Sequence, residues 1–311
     1  MTNQPALTNA NRGYLAALAS ALFLSTSSIF IRYLSVNFKL PALVLTFWRE
    51  AFVAVTLLVI FLIFKPVLFK EIRAHFPYLA AYGLVLALFN SALTFSIVLN
   101  GAAVATVILY SSVAFTSVLG RFIFQEDLGL VKIAAIMLSL AGCALVANAL
   151  DPNLWALNAA GILVGVLAAL GKAAYSLMGR SASKRGLNPW TTLVAIFSVA
   201  SLILLTANLG IGRLLPSGAA KPTDLFWLGN SVKGWAVLII LAILPTLFGY
   251  GMYNTSLKYL PSSVANLIVT IEPLLTAIFA YFLLREMLTP VQLIGGALVL
   301  AGVVLIRLIG N

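Results

Sequence analysis

The sequence predicts an all-α polytopic membrane protein: ten transmembrane helices arranged as two inverted five-helix repeats. Three observations predict it. Of the 311 residues, 62% are hydrophobic and 9% charged, whereas a water-soluble domain carries about 25% charged residues. Ten apolar runs lie near residues 13–31, 41–64, 77–98, 102–124, 129–149, 158–179, 189–211, 234–257, 262–284 and 291–309, hereafter helices 1 to 10. Each reaches the roughly 20 residues that a helix needs to cross a hydrocarbon core. The second half of the chain also repeats the first in register. Unpaired backbone is costly in lipid, so long apolar runs without period-two alternation form helices rather than barrel strands.

Taken in order, helix 1 follows Arg12 as a signal peptide would, yet it is long for a cleaved apolar region and has a counterpart in helix 6. It is expected to be retained. Its Ala17, Ala21 and Ser25, and Gly161 and Gly165 of helix 6, form stripes of small residues that let neighbouring helices approach. Helix 2 holds Arg49 and Glu50 inside the span, and helix 3 holds Tyr78, Tyr82, Phe89 and Asn90. On helix 4, Thr106, Tyr110 and Ser117 share one face and Ser112 and Thr116 another. Helix 5 contains Cys143, the single cysteine, which forms no intrachain disulfide. Helix 6 places Lys172, Tyr175 and Ser176 on one polar face. After helix 7 comes a long loop, 212–233, in which Thr223 and Asp224 are expected to start a short interfacial helix. Helix 8 carries Pro245, Gly249 and Gly251, which favour a bend, with Tyr250, Tyr253 and Asn254 on one face. Helix 9 contains Glu272 followed by Pro273.

Placing residues 105–146 over 265–306 aligns them without a gap, with identities at twelve of 42 positions, among them Glu126/Glu286 and Gly142/Gly302. The first helices of the copies agree at an offset of 148, through Gly13/Gly161, Arg32/Arg180, Ser35/Ser183 and Pro41/Pro189. The expected division is therefore a tail at 1–11, a first repeat at 12–149 and a second at 150–311 that includes the 212–233 loop. Five helices per copy make the second copy cross the membrane in the opposite sense. Inverted repeats are a recurring architecture of secondary transporters, with the binding site at their interface near the midplane. Eleven Lys and Arg fall on the side of the N-terminus and six on the other, which predicts that both termini are cytoplasmic.

The second copy reads Glu272-Pro273, then Arg285-Glu286, then Val291-Gln292-Leu293-Ile294-Gly295-Gly296-Ala297 and Ala301-Gly302. This resembles the EamA repeat of the drug/metabolite transporter superfamily, and the resemblance covers nearly the whole chain. It implies transport of small metabolites across a bacterial inner membrane, with the aromatic and neutral amino-acid exporters as the nearest kind by size and helix count. The chain departs from the pattern in its first copy, where Ser112-Val113 stands in place of Glu272-Pro273. Helix 1 also lacks the carboxylate that the superfamily's small multidrug exporters use. Export of drug-like or other organic metabolites, and a non-transporting scaffold or channel, are the alternatives.

A charge at the centre of a span costs about 2.5 to 3.5 kcal/mol on insertion scales, so Arg49, Glu50, Lys172 and Glu272 should face the protein interior or a water-filled path. Counting along the helix axis, Glu272 lies roughly 15 Å from the start of helix 9, near the midplane. Such a carboxylate either pairs with Lys172 or Arg49 or carries a proton. The candidate substrate-binding residues are Tyr82, Asn90, Tyr110, Lys172, Tyr175, Tyr250, Asn254 and Glu272. The candidate hinges are Pro245, Gly249, Gly251 and Pro273, with helix 8 as the gate.

Enzymatic constellations are missing. His75 is the single histidine, Asp127, Asp151 and Asp224 lie in loops, and no P-loop pattern is present. No metal and no cofactor is expected. The net charge of +11 comes from basic residues scattered singly between apolar runs, which excludes nucleic acid as a partner. A small-molecule substrate and membrane lipid are the expected partners, with the chain working as a monomer.

Overall fold

A computed structural model describes residues 4–64, 68–151, 158–215, 218–284 and 289–309. Arg285 and Glu286 of the repeat motif lie outside the described residues. Among the described residues, nine helices are long and apolar enough to cross a membrane: Asn9–Phe38, Ala42–Phe64, Phe76–Ile97, Val104–Phe124, Ala159–Lys184, Pro189–Leu214, Val232–Tyr259, Ser262–Phe279 and Pro290–Leu308. The tenth, Leu130–Val146, is a shorter apolar helix of 17 residues, about 26 Å long at the usual rise. Their order is that of helices 1 to 10.

The packing carries the repeat relation. Helix 1 packs on helix 8 and helix 6 on helix 3, while helix 2 packs on helix 7, helix 4 on helix 9 and helix 5 on helix 10. Exchanging the two copies turns the first pair into the second and leaves the other three unchanged. That is the contact pattern of a two-fold relation between inverted repeats. The Gly142/Gly302 identity has its reason here. A Cβ on Gly142 would stand 2.5 Å from the Gly295 carbonyl oxygen, and one on Gly302 would stand 2.7 Å from that of Ala135. Residues 135 and 295 are themselves counterparts, so the helix 5 and helix 10 backbones meet at two equivalent glycine contacts.

Several helices are broken where the sequence predicts continuous spans. Helix 1 begins at Gln4 and is interrupted at Thr26, whose hydroxyl donates to the Phe23 carbonyl at 2.8 Å. The Ser25 carbonyl accepts instead from Thr276 of helix 9, at 2.9 Å. Helices 3 and 4 follow each other without a loop, turning at Gly101 with φ 79° and ψ 161°, a conformation open chiefly to glycine. Helix 4 then breaks at Ser111 and helix 9 at Thr270 and Ile271, so residues 111 and 271 are one repeat apart. At both breaks a hydroxyl bonds the carbonyl three residues back: Ser111 to Ile108 and Thr270 to Leu267, each at 2.6 Å. Pro273 has no counterpart in the first copy, so these serine and threonine bonds, not proline, are what the two breaks share.

Helix 8 opens into a π-helical stretch at Ala242–Phe248 around Pro245. Proline has no N–H for the Leu241 carbonyl, and the Thr246 hydroxyl supplies the bond at 2.8 Å. The expected helix at Thr223 is a short 3₁₀ turn, Pro222–Phe226, and it starts earlier than expected because the Lys221 backbone N–H donates to the Asp224 carboxylate at 2.8 Å. Indole N–H groups fasten this loop, Trp48 to the Leu225 carbonyl at 2.6 Å and Trp227 to that of Phe38 at 3.0 Å.

Candidate functional site

Between the two copies lies one cavity of about 430 Å³. Its mouth is lined by Arg32, Ile97, Thr106, Ala147 and Gln292. All five lie near the ends of their helices on the side opposite the two termini. Its floor is aromatic. Tyr175 packs edge to face on Tyr250 with centroids 5.5 Å apart and stacks on Tyr253 at 6.3 Å, and Phe89 closes one wall.

Two charged groups meet in this space. Lys172 and Glu272 face each other, each within electrostatic reach of the other, and the Tyr110 hydroxyl is turned to the Glu272 carboxylate. The Lys172 ammonium also lies 4.7 Å from the centre of the Tyr110 ring, a cation–π contact. Of the two cations, Lys172 rather than Arg49 is the one whose charge acts on Glu272. The second group is on helix 2. Glu50 is fully buried and its Oε1 accepts the Asn90 amide at 2.5 Å, while Arg49 reaches the same oxygen only at 4.0 Å. The Arg49 side chain is 13% exposed and lines the cavity. Tyr250 stands between the two groups, within reach of Arg49, Glu50 and Glu272.

On the side of the termini the passage is shut. Glu126, in the turn between helices 4 and 5, accepts from the backbone N–H and hydroxyl of Ser262, both at 2.7 Å, and from the same two groups of Ser263. These are N–H groups that the first turn of helix 9 leaves without partners, and a carboxylate there also meets the positive end of the helix dipole. Burial pushes the Glu126 carboxyl up, and the hydrogen bonds from Ser263 and Ser262 outweigh it, so the group titrates below the ordinary carboxylate range. Lys132 adds a bond to Ser263 at 3.1 Å and another to the Asp127 carbonyl. Arg180 of helix 6 grips the other end of the same turn through the Leu257 and Lys258 carbonyls, at 2.8 and 3.2 Å. Deeper in, Asn266 donates to Thr116 at 3.0 Å and to Ser112 at 3.3 Å.

Of the expected binding residues, Asn90, Tyr110, Lys172, Tyr175, Tyr250 and Glu272 line the cavity. Tyr82 and Asn254 do not. Tyr82 donates to Asn254 at 3.0 Å, and Asn254 donates to Tyr175 at 2.6 Å, in a buried layer beneath the floor. A polar face on a helix marks a side turned from lipid, and here the two faces satisfy each other instead of meeting the cavity. The helix 4 stripe divides in the same way. Thr106 and Tyr110 line the cavity, while Ser112 and Thr116 belong to the shut side. Of the hinges, Pro273 lines the cavity and Pro245 lies in the π-helical stretch. Gly249 and Gly251 are close-contact points, where a Cβ would meet Leu24 at 2.7 Å and the Trp190 ring at 2.5 Å. Glu126 and Arg180 carry the shut side, and the one signal for them in the sequence is that both recur in the repeat. Among the described residues no cluster of His, Cys, Asp or Glu is arranged to hold a metal ion.

Comparison with known proteins agrees with this architecture. The EamA-like transporter family matches residues 11–148 and again 159–308. An uncharacterized transporter of Archaeoglobus fulgidus is 27% identical over 94% of this chain and 95% of its own length. A probable amino-acid metabolite efflux pump of Escherichia coli is 28% identical over 76% of this chain and 79% of its own. The threonine/homoserine exporter RhtA of the same organism is 30% identical over 30% of this chain and 34% of its own. A solved crystal structure superposes with a TM-score of 0.78 at 16% identity, covering 95% of this chain and 96% of that one, which speaks for the fold alone.

Proposed function

The chain belongs to the EamA-like transporter family, and from that premise we propose that it exports small metabolites, amino acids of the aromatic and neutral kind, by alternating access across a bacterial cytoplasmic membrane with both termini in the cytoplasm. It is an integral membrane protein of a transporter family rather than an enzyme. The observation that carries the reading is the cavity itself, which draws charged groups from both repeats and opens to one side while the other is shut. In the proposed orientation this is the outward-open state. A lone mid-membrane carboxylate would favour cationic substrates. Here Arg32, Arg49 and Lys172 stand in the walls with Glu272, and this balance favours molecules that carry a carboxylate over lipophilic cations. The names of the Escherichia coli relatives support amino acids as the class. In this reading the working unit is a monomer.

The test is uptake of a labelled amino-acid panel into proteoliposomes, with and without a pH gradient. Saturable uptake of aromatic or neutral amino acids is the expected result, and absence of uptake across the panel overturns the reading. Dependence on the gradient that disappears in Glu272→Gln assigns the coupling proton to that carboxylate, and unchanged dependence removes it from that role. Orientation is tested with a cysteine at Thr8 in a Cys143→Ala background. An impermeant thiol reagent should label it only from the cytoplasmic side.

A further inference from the structure

The two charged groups in the cavity are not equally complete. Glu272 has Lys172 and Tyr110, and Lys172 has Glu272 and the Tyr110 ring. Each charge in that group faces an opposite charge. The group on helix 2 differs. The Asn90 amide occupies Glu50 Oε1 at 2.5 Å, and Arg49 Nη2 is 4.0 Å from that oxygen, beyond hydrogen-bond distance. Arg49 Nε is buried with no acceptor, and Glu50 Oε2 is buried with no donor. Guanidinium and carboxylate are neighbours in sequence that do not satisfy each other.

An arginine in this condition lacks an acceptor. Its planar fork matches the two oxygens of a carboxylate, and a donor left unmade in a low-dielectric site is costly until a partner arrives. Arg49 lines the cavity within reach of Tyr250, and the aromatic floor lies alongside. Glu50 and Asn90 stand behind it, neutralising part of its charge without taking its hydrogen bonds.

We infer that Arg49 is the anchor for the carboxylate of the transported molecule, and that this contact makes the carboxylate a requirement of recognition. The inference rests on the transporter reading and deepens it, assigning to one residue the discrimination between an amino acid and its uncharged carboxamide. Lys172, set over the Tyr110 ring and opposite in charge to nearby Glu272, contributes to the cavity without making that distinction.

The experiment is competition in proteoliposomes, with labelled phenylalanine taken up against unlabelled phenylalanine or phenylalaninamide. Wild type should prefer the acid over the amide by about 10-fold or more, the value of a charge-assisted bond in a buried site. Arg49→Gln should bring the two within about 2-fold of each other, Arg49→Lys should restore part of the preference, and Lys172→Gln should leave it in place. A preference that survives in Arg49→Gln, or one that vanishes in Lys172→Gln instead, overturns the assignment while leaving transport established. Wild-type vesicles that carry no amino acid overturn the transporter reading and the anchor with it. Arg49→Lys, which keeps the charge, separates loss of recognition from loss of fold, as does monodisperse elution of each variant in detergent.

Discussion

Two turns of this molecule are counterparts in the repeat and behave differently. The turn at residues 257–263, between helices 8 and 9, is held by Glu126 at the start of one helix and by Arg180 at the end of the other. Its counterpart at residues 97–103, between helices 3 and 4, is tied to the start of helix 6 among the described residues, and Glu286, the counterpart of Glu126, lies outside them. There Asn100 exchanges bonds with the Asn158 backbone at 2.9 and 3.2 Å, and Ser96 donates to the Gly161 carbonyl at 3.0 Å. The held turn closes the passage, and the other borders the open mouth. The residues that do the holding, Glu126 and Arg180, are among the charged identities that the two copies share. Arg32, the counterpart of Arg180, lies at the mouth. The comparison teaches that the repeat writes the residues of the held turn into both copies, and that Glu126 and Arg180 are engaged on the side of the termini. The copies are also unequal in composition, since Ser262 and Ser263 stand where the first copy has Ala102 and Ala103.

The largest effect should follow from removing the charge at the held turn. In Glu126→Gln the helix 9 N-terminus keeps an acceptor but loses a carboxylate that takes four bonds. Hydrogen bonds to a charged group are worth about 1.5 to 3 kcal/mol, which shifts the gate equilibrium by roughly 10- to 100-fold. A cysteine at Ser117, buried on the shut side, reports it in a Cys143→Ala background. Its labelling by an impermeant thiol reagent from the side of the termini should rise by that factor. Unchanged labelling would mean that Glu126 does not hold the gate.

Removing single hydroxyls should do less and so sharpen the comparison. Ser263→Ala deletes one of the donors to Glu126 and the acceptor for Lys132, but the carboxylate keeps its charge and its three other bonds, so the loss is held to about 1 kcal/mol, a typical net contribution of one hydrogen bond. The expected rise in labelling is about 5-fold. Arg180→Gln should fall in the same range, because its bonds go to carbonyls at the half-exposed end of helix 8. If either variant matches Glu126→Gln, the turn is held cooperatively rather than by the carboxylate alone.

Much of this was legible in the sequence, and the parts that were not have physical reasons. Apolar run length located the ten helices because the bilayer imposes it. The four charges inside spans pointed to the cavity, because lipid excludes them. The breaks at Ser111 and Thr270 carry no sequence signal, since serine and threonine bond their own backbone in many continuous helices and only the fold decides where the axis turns. Tyr82 and Asn254 read as binding residues because helix periodicity shows that a face is polar, not whether another polar side chain already meets it. Glu126 stood out as a repeat identity but carried no role, because its partners lie 136 and 137 residues away. The incompleteness of Arg49 depends on which oxygen of Glu50 the Asn90 amide takes, which no spacing rule reveals.

The smallest expected effect is an absence, and it bears most directly on how the held turn differs from a pH switch. Hydrogen bonds from Ser263 and Ser262 overcome burial and keep the Glu126 carboxyl below the ordinary carboxylate range while the gate is shut. When the gate opens those bonds are lost and the carboxyl returns toward its usual value. A carboxyl depressed in one state stabilises that state fully above its value in the other, and the stabilisation fades as pH falls through the depressed value. The hold on the turn is therefore complete across the neutral range and weakens only in acid. Labelling of the Ser117 cysteine from the side of the termini, corrected for thiolate reactivity with an exposed control cysteine, should be flat between about pH 6 and 8. The acid-induced rise should lie below the ordinary carboxylate range and be missing in Glu126→Gln. A rise centred in the neutral range would give the gate to a group other than Glu126 and make the shut side responsive to physiological pH.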